Sequence, residues 1–108
     1  MRLLLDECVP ARLRKALPSH QVSTVVQEGW SGVKNGKLLA LAATGFDAFV
    51  TVDKNLLYQQ NTLTLPVAVL VLDTASNELP CLLPLVPALE AALENLKPGS
   101  YVLLRAEA

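Results

Sequence analysis

The sequence predicts an α/β fold, a three-layer α/β/α arrangement around a mostly parallel sheet of four to five strands. Three observations carry that expectation. Apolar runs without polar alternation, Leu3-Leu4-Leu5, Ala48-Phe49-Val50 and Val67 to Leu72, suit strands covered on both faces. Helix-forming stretches alternate with these runs, and strand, helix, strand in that order implies a right-handed crossover into a parallel sheet. The chain has 108 residues, 52% of them hydrophobic and 18% charged, which fits one domain over residues 1–108 with a single packed interior.

Each element follows from local chemistry. After the first strand, the stretch from Val9 to Leu17 reads as a helix: Pro10 suits a first turn, and Val9, Leu13, Ala16 and Leu17 form one apolar stripe. Pro18-Ser19-His20 ends it, with His20, the single histidine, expected as an exposed turn residue. Gln21 to Val26 is β-branched and reads as the second strand, bounded by Gly29-Trp30-Ser31-Gly32. Trp30 reads as a loop anchor on the rim rather than a base-stacking platform. The run from Asn35 to Thr44 predicts a helix with Asn35 as its N-cap and Gly45 as its stop.

Ala48 to Val52 is the third strand and delivers Asp53 to its end. A short helix is expected over 54–61, then a strand from Pro66 to Leu72 ending at Asp73. Pro80, Pro84 and Pro87 cannot share one helix interior, so the last helix is expected to start near Pro84 or Pro87 and run to Leu96. Tyr101 to Arg105 closes the chain as a strand suited to an edge.

Composition excludes several classes. No apolar run reaches the roughly 18 residues that span a bilayer, and the N-terminus lacks a signal-peptide pattern, so the expectation is a cytoplasmic protein without membrane contact. Cys8 and Cys81 have no metal-ligand spacing and read as reduced thiols. A net charge of −1 and a pI near 5.7 give no global field for a polyanion, so nucleic-acid binding would rest on local charge.

Three strands end on acids: Asp6 with Glu7, then Asp53, then Asp73. In open α/β sheets the functional crevice lies outside the carboxyl ends of the strands. Mg²⁺ and Mn²⁺ take hard oxygen ligands, commonly one or two carboxylates completed by waters and phosphates. Asp6 and Asp53 are therefore candidate metal ligands, although aspartate is also common at strand ends simply as a turn and cap residue. Arg12, Arg14 and Lys15 on the first helix, with Lys34, Lys37 and Lys54 near the acids, offer local positive charge, which equally suits a solvated surface.

At these residues the sequence resembles a known family. Leu4-Leu5-Asp6-Glu7-Cys8-Val9-Pro10 is similar to the "LLDENLP" opening of small bacterial PIN-like proteins, relatives of the VapC-type ribonuclease toxins. The stretch from Gly32 to Ala42 resembles that family's "GASDEEILAFA", and Val50-Thr51-Val52-Asp53-Lys54-Asn55 its "VTRDKDF". The resemblance spans essentially the whole chain in order. It implies a PIN-like fold, Mg²⁺- or Mn²⁺-dependent RNA cleavage, a small antitoxin encoded nearby and a homodimer. It makes Asp6 and Asp53 metal ligands, Glu7 a supporting acid, and Thr51 a hydroxyl that orients Asp53 or a metal-bound water. Arg12, Lys34, Lys37 and Lys54 become candidate RNA contacts.

The chain departs from the family at informative places. Asn35 stands where the helix-start aspartate is expected, Gly36 and Lys37 replace the acidic pair after it, and Asn55 replaces a second aspartate. An amide still offers a carbonyl oxygen, so Asn35 remains a candidate ligand, but it brings no charge, and ligand charge tunes cation affinity. The expectation is a ribonuclease with weakened activity, with a catalytically degenerate binding module as the alternative. A receiver-like phosphoacceptor domain also fits two acids after the first strand and one after the third, with Thr74 as its switch hydroxyl. It wants a lysine ending the next strand, and between Thr74 and the C-terminus only Lys97 is present, next to Pro98 in a turn.

Overall fold

The computed structural model describes residues 1–56, 61 and 63–105. Its five strands are β1 (Arg2–Leu5), β2 (Gln21–Thr24), β3 (Ala48–Thr51), β4 (Ala68–Asp73) and β5 (Tyr101–Arg105). All pair in parallel, in the order β2-β1-β3-β4-β5. The chain winds outward from β1 to β2, then crosses back to lay β3 on the other side of β1. The point of reversal lies between β1 and β3, where open parallel sheets form their ligand crevice.

The unbroken apolar runs are resolved by the sheet into two faces. Leu3 and Leu5 of β1 pack with Leu13, Leu17, Leu85, Leu89 and Leu93, whereas Leu4 between them packs with Leu38, Leu39 and Ala42. The same alternation sends Val50 to the first face and Phe49 to the second. The second layer is α1 (Asn35–Ala42); the first comprises a 3₁₀ helix (Ala11–Ala16), α2 (Leu79–Leu82), a 3₁₀ turn (Leu83–Leu85) and α3 (Val86–Glu94). Each fully buried leucine contributes about 1.5–3 kcal/mol, and these two interiors hold the sheet between its covers.

Several boundaries differ from expectation. The helix expected from Val9 is a six-residue 3₁₀ helix, because Pro10 is extended (φ −63°, ψ 133°) and Leu17, which precedes Pro18, is non-helical (φ −124°, ψ 53°). Pro18 disfavours helical torsions at Leu17, so the segment closes before an α-helix can extend. In α1 the extended torsions belong to Lys34 (φ −68°, ψ 151°), so Lys34 is the N-cap and Asn35 already the first helical residue. The last helical region begins at Leu79, earlier than expected. Pro80, Pro84 and Pro87 each sit in the first two positions of a new segment, where a missing N–H costs nothing. Half of the helix expected over 54–61, residues 57–60, lies outside the described residues.

His20 is not the exposed turn residue expected. Its side chain is 11% exposed, and Nε2 lies 3.0 Å from Glu90 Oε1, tying the turn before β2 to α3. Trp30 anchors its loop by packing edge-on to Phe46, with ring centroids 6.2 Å apart. Among the described residues, no helix is long and apolar enough to cross a membrane.

Candidate functional site

The site is built from the strand ends that flank the switch point. The Asp6 backbone N–H donates to Val50 O at 2.9 Å, so the residue that leaves β1 is still held by β3. Its carboxylate is then oriented from three sides. Oδ1 accepts the Glu7 N–H at 2.8 Å, and Oδ2 accepts the Thr51 hydroxyl at 2.7 Å and the Cys8 thiol at 3.5 Å.

Thr51 is fully buried. While its hydroxyl donates to Asp6, its oxygen accepts the Asp53 N–H at 3.0 Å. One side chain therefore couples the Asp6 carboxylate to the backbone of Asp53 across adjacent strands. Thr51 contacts Asp53 through the backbone alone, and its burial makes it a positioning residue rather than one facing solvent. Asp53 Oδ1 accepts the Asn55 N–H at 2.9 Å, an Asx-type turn that fixes the chain after β3.

Glu7 is exposed, and its Oε1 accepts the Gly32 N–H at 2.9 Å. Gly32 has φ +79°, a conformation that strains any residue bearing a Cβ, so a glycine suits the point where the β2–α1 loop meets this acid. Lys34, Asn35 and Lys37 enter α1 just beyond that loop, on the same edge. Asn77 Nδ2 donates to Cys8 O at 2.9 Å, bringing the segment after β4 to the turn after β1.

The third strand-end acid is committed differently. Asp73 Oδ1 lies 3.0 Å from Lys54 Nζ, and Oδ2 lies 2.8 Å from Arg105 Nε. Their hydrogen bonds and charges hold the Asp73 carboxyl below the ordinary aspartate range. Lys54, expected as an RNA contact, is thus shared with a carboxylate, and the position at the end of β5 where a receiver-like domain needs lysine holds Arg105. Arg12 lies exposed on the 3₁₀ helix.

Cys8 is the residue that sequence reading passed over. Burial pushes its thiol up; the Thr51 hydroxyl and the Val52 backbone oppose this, and the Asp6 charge adds to it. The i, i+2 spacing from Asp6 was the available signal, since a turn returns that residue to the carboxylate.

Carboxylate and amide oxygens are the hard ligands that Mg²⁺ or Mn²⁺ takes. Asp6 uses three of its roughly four lone-pair positions on the chain, and metal-ligating carboxylates are characteristically oriented by such bonds. Among the described residues no group of three or more His, Cys, Asp or Glu side chains is placed to hold a metal ion. Mg²⁺ is commonly held by one or two carboxylates, with water and phosphate completing its shell.

Comparison with protein-family models, with curated proteins and with solved structures finds no match.

Proposed function

We propose that this chain is a PIN-like, Mg²⁺- or Mn²⁺-dependent ribonuclease of reduced activity, the toxin member of a toxin–antitoxin pair. The observation that carries the reading is the Thr51 hydroxyl joining Asp6 to Asp53 at the sheet's switch point. Asp6 and Asp53 would hold the ion, with the Asn35 carbonyl as an uncharged addition. When bound, such an ion activates water and offsets charge on a phosphodiester. Thr51 keeps Asp6 aimed, Glu7 fastens the loop leading to α1, and Arg12, Lys34, Lys37 and Lys54 supply charge for the RNA backbone. A homodimer and a small antitoxin encoded nearby complete the proposal.

The test is incubation of RNA with the protein and excess Mn²⁺. Cleavage that is abolished by Asp6→Asn and by Asp53→Asn supports the reading; RNA left intact overturns it. One observation favours a second reading, a binding module without chemistry. Asp73 is engaged by two cations, and Asn35 and Asn55 are amides, so little negative charge remains for an ion. That reading expects no Mn²⁺ heat in calorimetry and a stable complex with a neighbouring gene's product.

A further inference from the structure

A groove of about 400 Å³ opens beside the acids, between the exits of β1 and β2. Asp6, Glu7 and Pro10 line one side, Ala11 and Arg14 of the 3₁₀ helix the next, and Val26 and Gln27 the third. Its chemistry is uneven. Val26 is 64% exposed and, with Pro10 and Ala11, makes an apolar slot. Arg14 brings a cation that, among the described residues, has no carboxylate partner, unlike Lys54 and Arg105.

The wall at Gln27 is fixed. Gln27 Oε1 accepts the Thr24 N–H at 3.1 Å, and Thr24 Oγ1 accepts the Gln27 N–H at 3.0 Å. With its oxygen so engaged, the Gln27 carboxamide has its –NH₂ donors left to present. Because the Asp6 and Glu7 carboxylates also line the groove, an anionic group fits only at its Arg14 end; an occupant therefore needs an anion there, a flat uncharged body for the slot, and continuity with whatever lies at Asp6.

We propose that this groove is the subsite for one nucleotide of a single-stranded RNA, its base in the Val26–Pro10 slot and its phosphate on Arg14. The inference rests on reading the Asp6 edge as a phosphodiester site. A volume of this order suits a ligand of nucleotide size; single strands are commonly held by a cationic groove with bases stacked on flat side chains, and here Arg14 supplies the charge while Pro10 and Val26 take the place of an aromatic platform.

The experiment measures fluorescence anisotropy of a dye-labelled single-stranded RNA dodecamer, with Ca²⁺ as the only divalent cation. It compares the wild type with Val26→Asp, Arg14→Glu and the control Lys97→Glu, all three changes at surface positions. The proposal expects each groove variant to weaken binding about tenfold and the control to change it less than twofold. Equal binding by all four proteins overturns it, as does a wild type that ignores RNA but binds an acidic peptide. A parallel Mn²⁺ cleavage assay separates the two readings. Groove-dependent binding with intact RNA keeps the subsite and removes the nuclease; cleavage unaffected by the groove variants does the reverse.

Discussion

Thr51 and Asp6 share a 2.7 Å hydrogen bond between β3 and the end of β1, and the donor is fully buried. A hydrogen bond to a charged group contributes about 1.5–3 kcal/mol, and this one also fixes where the carboxylate points. Thr51→Val keeps the shape and removes the hydroxyl. The expected outcome is a loss of stability of about 1.5–3 kcal/mol in urea unfolding, restored in large part by Thr51→Ser. A Val variant as stable as the wild type would show that the hydroxyl does not hold Asp6.

The Asp73 network makes a pH prediction. Its carboxyl is lowered in the folded protein by Lys54 and Arg105, so its contribution to stability is fully present above the ordinary aspartate value near about 3.9. It is lost as pH falls through the lower, folded value. Wild type and Asp73→Asn should therefore differ by a constant amount in unfolding midpoint from neutrality down to about pH 5, and converge at more acid pH. Because Lys54 and Arg105 are largely exposed, added salt should narrow the neutral-pH difference. A difference that persists unchanged at acid pH would assign the effect to packing.

The architecture was legible because its cause is coarse. Uninterrupted apolar runs need cover on both faces, and Leu3, Leu4 and Leu5 divide between two interiors as that rule requires. The 3₁₀ helix was not legible, since the stripe of Leu13, Ala16 and Leu17 suits either helix type and the torsion at Leu17 settles the matter. Within the site, the edge shared by Asp6 and Asp53 follows from strand ends in a parallel sheet. The pairing of Lys54 with Asp73, and of Glu7 with Gly32, depends on loop geometry that carries no periodic signal. The Arg14 groove was missed for the same reason, whereas Cys8 carried a signal in its i, i+2 spacing from Asp6.

Cys8 offers a chemical probe of the site. Its thiol lies 3.5 Å from the Asp6 carboxylate and is raised above the ordinary thiol range, chiefly by burial. The thiolate is the form that reacts. At pH 8, iodoacetamide should label Cys8 several-fold more slowly in the folded protein than in urea, read by peptide mass, and Asp6→Asn should accelerate the folded reaction. The linkage has the opposite sense to Asp73: stability tied to Cys8 is constant below the unfolded thiol value and falls as pH rises through the folded one. Labelling at the unfolded rate would place the thiol in open solvent, away from Asp6.

Asn35 is the position where charge can be returned. It is the first residue of α1, after an N-cap, Lys34, that makes no side-chain capping bond. An aspartate in the first turn favours the helix by about 0.3–1 kcal/mol, so Asn35→Asp should raise the unfolding midpoint without a cation if α1 lies apart from Asp6 and Asp53, and only with a cation if it shares their pocket, where like charges otherwise repel. If the N-terminus of α1 faces the same ion as Asp6 and Asp53, the added charge is worth on the order of 1–3 kcal/mol, about five- to 150-fold in Mn²⁺ affinity. Calorimetry reads the second effect and thermal unfolding the first. A stabilised helix with unchanged Mn²⁺ affinity would separate α1 from the acids and leave Asp6 and Asp53 as the whole of any metal site; tighter binding would join three chain segments in one electronegative pocket.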